Sequence, residues 1–286
     1  MPYADLTDVR CHYEVMGNGD PLLMISGLGS TIDNWNCVAS QLAQSFTLIL
    51  IDNRETGQSV AKRTPQVISD LASDVVELLD HLQLDRAHVL GLSFGGIIAQ
   101  RFAIDHPSRV DRLVLMSCAS RFGPYVTAIT TLLAHTLRRF PIDQYRKIMD
   151  LLGTSPEYFD AHADQIAQMA DGLADSCDHR AAAVRQLACL GSTGVAPPDE
   201  YHIDAPTLVI AGEQDLLVPQ AYVRRMADEI PGSEFFSIPS CGHNPLQEKP
   251  DVVIPRIVEF LSRSSTASAH PLRQCGDSTP VMEEAF

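Results

Sequence analysis

Six short, almost wholly apolar runs set the strongest limit on what this chain can fold into. They are Leu22–Ile25, Leu48–Ile51, Val89–Leu90, Leu113–Met116, Leu208–Ala211 and Phe235–Ile238. None approaches the roughly 20 apolar residues needed to span a bilayer. A strand with one wet face would alternate apolar and polar residues, and these do not. Runs of this kind suit a parallel sheet covered by helices on both faces. A seventh segment does alternate, with Val9, Cys11, Tyr13 and Val15 on one side and Arg10, His12 and Glu14 on the other. Residues 9–16 therefore read as a half-exposed strand.

Helical periodicity fills the spaces between the runs. Leu71, Val75, Leu78, Leu79 and Leu82 recur at helical spacing, opposite Asp74, Glu77 and Asp80. Further helices are expected from Ile97 onward, around Val223–Ala227 and over Val252–Leu261. Alternation of strand and helix predicts an α/β class with a mostly parallel central sheet flanked by helices. The alternation stops between Arg121 and Pro206, where only helix-like patterns occur. The expected organisation is a core at 1–120 and 201–262, a helical insertion or lid at 121–200, and a loose, small and polar tail at 263–286.

Gly91-Leu92-Ser93-Phe94-Gly95 follows one apolar run and precedes one helix. This is a G-x-S-x-G elbow in the strand–turn–helix context that gives the motif its meaning. A serine presented on so tight a turn needs small neighbours two residues away, and Gly91 and Gly95 supply them. A helix starting just after the serine aims backbone N–H groups at developing negative charge. A serine nucleophile also needs a base, and the base an orienting acid. With such an elbow, acid and then histidine follow the serine along the chain. Asp215 follows the Leu208–Ala211 run, with Glu213 as its competitor, and His243 follows the Phe235–Ile238 run. Both fall beyond strand ends, where open α/β sheets build sites. The N–H of Phe94 and that of Leu28, in Gly27-Leu28-Gly29, are the candidate oxyanion donors. A substrate pocket between Ser93 and the insertion would use Trp35, Phe122, Tyr125 and Leu133.

These residues resemble the α/β-hydrolase superfamily. The resemblance runs over about residues 10–120 and 200–262. It rests on Gly27-Leu28-Gly29, Asp52-Asn53-Arg54-Glu55-Thr56-Gly57-Gln58-Ser59, the elbow, Gly212 to Asp215 with Pro219, and Gly242-His243. The chain is most similar to small lid-bearing esterases and lactonases, such as 3-oxoadipate enol-lactonases and pimeloyl-carrier methyl-ester esterases. The resemblance implies an α/β-hydrolase fold, a Ser93–Asp215–His243 triad and an acyl-enzyme route. Two positions depart from the family pattern. Ser26 stands where histidine usually precedes the oxyanion glycine, and Glu55 stands where D-x-R-G-x-G-x-S has glycine. The first is expected to alter how the oxyanion loop is held. The second places a carboxylate either at the mouth of the site or on a loop surface.

Composition narrows the partners. Lys and Arg number 21 against 36 Asp and Glu, a formal charge of −15, which repels phosphate backbones and argues against nucleic acid. No apolar segment argues for a membrane, and Met1 to Asp5 lacks the pattern of a signal peptide. Seven scattered cysteines without a CxxC pair read as reduced thiols in a cytoplasmic compartment. Histidines without an HExxH pattern give no reason to expect a metal, and no cofactor is expected. The expected partner is a small, partly apolar ester or lactone; a homodimer stays open. An ester on an acidic carrier protein would have to dock on the basic group Arg138, Arg139, Arg146 and Lys147. Carbon–carbon bond hydrolysis, cofactor-free perhydrolysis and low-turnover ligand sensing use the same catalytic atoms and remain alternatives.

Overall fold

The computed structural model describes residues 2–171, 177–190, 195–197 and 199–263; apart from Arg263, the expected tail lies outside the described residues. Nine strands form one sheet: β1 (Tyr3–Asp5), β2 (Val9–Gly17), β3 (Asp20–Ile25), β4 (Phe46–Ile51), β5 (Val60–Ala61), β6 (Ala87–Leu92), β7 (Val110–Met116), β8 (Thr207–Gly212) and β9 (Glu234–Ile238). Their order is β1-β2-β4-β3-β6-β7-β8-β9, with β5 paired to β2. From β4 to β9 all neighbours run parallel, while β2 lies antiparallel to β4, and β1 and β5 antiparallel to β2.

The helices of the core are α1 (Ala39–Leu42), α2 (Ile68–His81) and α3 (Phe94–Asp105). Between β7 and β8 the chain inserts α4 (Pro124–Arg139), α5 (Ile142–Gly153), α6 (Pro156–Asp171) and α7 (Cys177–Ala188). It then closes with α8 (Gln220–Glu229), α9 (Pro245–Glu248) and α10 (Pro250–Leu261). The apolar runs of the central strands are continuous because each strand feeds two cores. Leu23 and Ile25 of β3, Leu113 and Leu115 of β7, and Val209 of β8 meet Leu71, Ile98, Phe102 and Met226 on one face. Their neighbours Leu22, Met24, Val114, Met116 and Leu208 meet Trp35, Leu42, Ile257 and Phe260 on the other. Both faces are dry along these runs; polar residues of the strands such as Thr47, His88, Asp111, Arg112 and Thr207 stand outside them.

The chain builds outward from β3 in one direction through β4 and in the other through β6. Crossovers that reverse in this way leave a crevice beyond the strand ends. Ile25 pairs with Gly91 at that point, so the loops after β3 and β6 emerge side by side. The short strands β1 and β5 carry no apolar run; pairing with β2 alone defines them.

The elbow between β6 and α3 is crowded. Ser93 holds φ 55° and ψ −117°, a left-handed φ that is costly for any residue but glycine. Its N–H donates to the Met116 carbonyl at 2.8 Å, tying the strained residue to β7. A Cβ on Gly91 would lie 2.5 Å from the Gly95 carbonyl oxygen, and one on Gly96 would lie 2.5 Å from Cys118 Sγ. One on Gly95 would run into the carbonyl oxygen of Ile25. Backbone atoms form that last wall, and they cannot step aside. Near the start of a helix, replacing glycine by alanine would ordinarily gain up to about 1 kcal/mol. Gly95→Ala should instead lose about 1–3 kcal/mol through overpacking, measured as a lowered denaturation midpoint at unchanged m-value.

Candidate active site

Asp215 and His243 reach the strand ends on separate loops and meet there. Asp215 lies three residues beyond β8, and His243 lies between β9 and α9. His243 Nδ1 is 2.7 Å from Asp215 Oδ2, and both side chains are buried. The other carboxylate oxygen accepts the N–H groups of Leu217 at 2.8 Å and Val218 at 2.9 Å. Two backbone donors thus fix the acid, and the acid fixes the imidazole plane and favours the proton on Nδ1. The remaining nitrogen, Nε2, is then free to accept a proton. Glu213 does not compete: its carboxylate accepts the Ser237 hydroxyl at 2.8 Å in an exposed position.

Ser93 and His243 line one cavity together with Leu28, Phe94, Phe122 and Leu133. Phe94 opens α3, so its N–H falls in the first turn, where the helix offers no acceptor of its own. The cavity wall also includes Ile97, Val126, Ile129, Met149, Leu187, Leu190 and Leu217. Among the described residues no Asp, Glu, Lys or Arg side chain lines it. Cys118 does, but burial pushes its thiol above the usual range, so it stays protonated and a poor nucleophile.

Two pocket residues expected from the sequence lie elsewhere. Trp35 is 1% exposed and packs beneath the sheet with Leu22, Met24 and Leu42, on the face away from the insertion. Tyr125 points outward, donates its hydroxyl to the Leu216 carbonyl at 2.8 Å and stacks on Tyr222. It is the next residue after the Pro124 that starts α4, and that helical phase turns it away from Phe122 and Val126. Conversely, Ser117 gives no sequence signal. It follows β7 at φ 51°, is fully buried and lines the cavity, and its hydroxyl has no partner among the described residues.

The sequence pattern of the alpha/beta hydrolase family fits residues 22–256. The chain belongs to the alpha/beta hydrolase family. "Putative carbamate hydrolase RutD" of Variovorax paradoxus is 31% identical over 270 residues, which are 89% of this chain and 97% of that protein. The 2-hydroxy-6-oxononadienedioate/2-hydroxy-6-oxononatrienedioate hydrolase 2 of Pseudomonas putida is 31% identical over 251 residues, 82% of this chain and 86% of that one. Among solved structures, the enol-lactonase from Burkholderia xenovorans LB400 superposes with a TM-score of 0.80 at 25% identity, covering 92% of this chain and all of that one. Among the described residues no helix is long and apolar enough to cross a membrane.

The two departures from the hydrolase family pattern have defined surroundings. Ser26 is fully buried, and among the described residues its hydroxyl reaches only the Ser30 carbonyl, at 3.2 Å. Glu55 holds φ 68° and lies neither in the cavity wall nor on an open surface; Arg185 of α7 donates to both its oxygens, at 3.0 and 2.9 Å. The basic group on the insertion is partly spent within its own helix, where Arg146 pairs with Asp150 and Lys147 with Asp143. A buried carboxylate the sequence reading passed over, Glu248, accepts the Gly242 N–H at 3.0 and 3.1 Å and the Ser155 N–H at 3.1 Å. It joins the histidine loop to the turn between α5 and α6, and the His243 N–H adds a bond to the Gly153 carbonyl at 2.7 Å. Glu248→Gln keeps the shape but loses the charge that strengthens these bonds. It should cost about 1–3 kcal/mol in urea unfolding, and Glu248→Leu more.

Proposed function

We propose that this protein is a serine hydrolase of neutral, largely apolar carboxylic esters or lactones, working through an acyl-enzyme. The reading rests on one observation above all. A strained serine and a carboxylate-oriented histidine share a cavity free of charged side chains among the described residues. Ser93 Oγ attacks the substrate carbonyl while His243 Nε2 takes the hydroxyl proton. Asp215 holds the imidazole in the tautomer that can accept that proton and stabilises the imidazolium that results. The N–H groups of Leu28 and Phe94 hold the oxyanion. His243 returns the proton to the leaving oxygen and then activates water, which releases the acid and restores Ser93. The insertion acts as the lid, with Phe122, Leu133 and the side chains around them forming the acyl pocket, and the Ser117 hydroxyl offers one hydrogen bond to a polar substrate atom.

The same cavity separates this reading from the substrate that the name of one relative suggests. The substrate of the Pseudomonas putida relative is a dicarboxylate by name. A second carboxylate bound here would lose its hydration and find no cationic partner on the described walls, a cost of several kcal/mol. Neutral lactones and esters carry no such penalty.

The test is hydrolysis of p-nitrophenyl esters from acetate to octanoate, beside an ω-carboxylated ester of matched length. Ser93→Ala should lower kcat by about 10³-fold or more, and Asp215→Asn by about 10³- to 10⁴-fold. The neutral ester should be preferred by about 10²-fold or more in kcat/KM, the size expected for an unpaired buried charge. Full activity in Ser93→Ala, or equal turnover of the carboxylated ester, would overturn the reading.

A further inference from the structure

The loop that carries Leu28 is closed by a bond from the Ser30 N–H to the Gly27 carbonyl at 3.1 Å, which leaves the Gly29 N–H to find its partner elsewhere. The Ser26 hydroxyl bonds only to the Ser30 carbonyl among the described residues, the Ser26 carbonyl accepts Asn53 Nδ2 at 3.2 Å, and Gly29 holds a left-handed φ of 63°. The restraint on the Leu28–Gly29 peptide comes from the insertion. Gln186 of α7 is fully buried and spans two loops of the core with one amide. Its Oε1 accepts the Gly29 N–H at 3.0 Å, and its Nε2 donates to the Arg54 carbonyl at 3.3 Å. Arg54 is a firm anchor: its guanidinium donates to both oxygens of Asp74, at 2.9 and 2.5 Å, and to the Arg63 carbonyl at 3.0 Å. One turn before Gln186, Ala183 covers Gly29, where a Cβ would lie 3.4 Å from the alanine methyl. Next to Gln186, Leu187 lines the cavity beside Leu28, and Arg185 clasps Glu55.

We propose that Gln186 is a positioning residue for oxyanion binding. By fixing the peptide between Leu28 and Gly29 it sets the Leu28 backbone, and so the direction of the Leu28 N–H. This rests on the reading of Leu28 and Phe94 as oxyanion donors given above. The donor pair is then complete only while α7 is seated, and the lid helix takes over the holding role left open by Ser26. Gln186 touches no reacting atom. Its effect falls on the transition state, where charge resides on the oxyanion, and not on the bound ester, whose carbonyl asks little of the hole.

The experiment compares wild type, Gln186→Met, which keeps the side-chain length without the bonds, and Arg185→Met, which breaks the adjacent ion pair on the same helix. Deleting an oxyanion donor outright costs about 10²–10³-fold in kcat; misaiming one should cost Gln186→Met about 10–100-fold, with KM changed less than about twofold. Affinity for an alkyl trifluoromethyl ketone, which forms a tetrahedral adduct on Ser93, should fall by the same factor. Affinity for the matching alkyl alcohol, which forms none, should hold. Amide hydrogen exchange over residues 27–30 should quicken in Gln186→Met and stay near wild type in Arg185→Met. Unchanged kcat with quickened exchange, or an equal loss in Arg185→Met, would overturn the role. If wild-type protein shows no Ser93-dependent turnover, the hydrolase reading fails and takes the catalytic role with it, and exchange still reports whether Gln186 holds the loop.

Discussion

The close approach of α3 to the ends of β3 and β6 is the constraint on which the rest of this molecule depends. At Gly91, Gly95 and Gly96 there is no room for a single added carbon, because backbone carbonyls and the Cys118 side chain already fill the space. That crowding makes the turn tight enough to hold Ser93 at a positive φ with its side chain raised into the crevice. It also brings the first turn of α3 against the loop after β3, so that Phe94 and Leu28 share a cavity. A looser packing would keep the same residues and lose the arrangement. The two apolar cores on either side of the sheet supply the stability that such a strained point draws on.

Around this point, buried carboxylates gather the backbone donors of several loops. Asp215 gathers two backbone N–H groups behind His243, and Glu248 gathers those of Gly242 and Ser155. Asp52 does the same beyond β4, accepting from the Ile32 N–H at 2.8 Å, the Gln58 N–H at 2.9 Å and His12 Nδ1 at 2.7 Å. A charged acceptor with several oriented donors is stiffer than a van der Waals contact, and it satisfies loop amides that would otherwise be buried without partners. Some of the chain's acidic excess is therefore structural, turned inward at the strand ends.

Much of this was legible along the chain because the relevant signals are local. An apolar run bounded by turns marks a strand whatever its neighbours, so β3, β4, β6, β7, β8 and the edge strand β9 could be read directly. The elbow is likewise a pattern within five residues, and Asp215 and His243 follow it in a fixed order. What could not be read depends on partners distant in sequence. Strands β1 and β5 exist only because β2 lies beside them. Trp35 follows the Gly27-Leu28-Gly29 loop closely, yet the chain turns it beneath the sheet. Tyr125 differs from Val126 by one helical step, which decides between solvent and cavity. Gln186 and Glu248 look like ordinary surface residues until the loops they hold come together around them.

The contact between His243 and the turn after α5 has an evolutionary consequence. Insertions between core strands are commonly pictured as detachable cassettes, exchanged to give an old scaffold a new substrate. Here the traffic of hydrogen bonds runs the other way as well. Gly153 and Ser155 in the insertion help seat the histidine loop, directly and through Glu248. A descendant that replaced these helices wholesale would acquire a different pocket and a loosened His243 in the same event. Change of specificity in this lineage should therefore proceed by side-chain replacement within the existing helices, with the turn between α5 and α6 held constant while the walls around it drift.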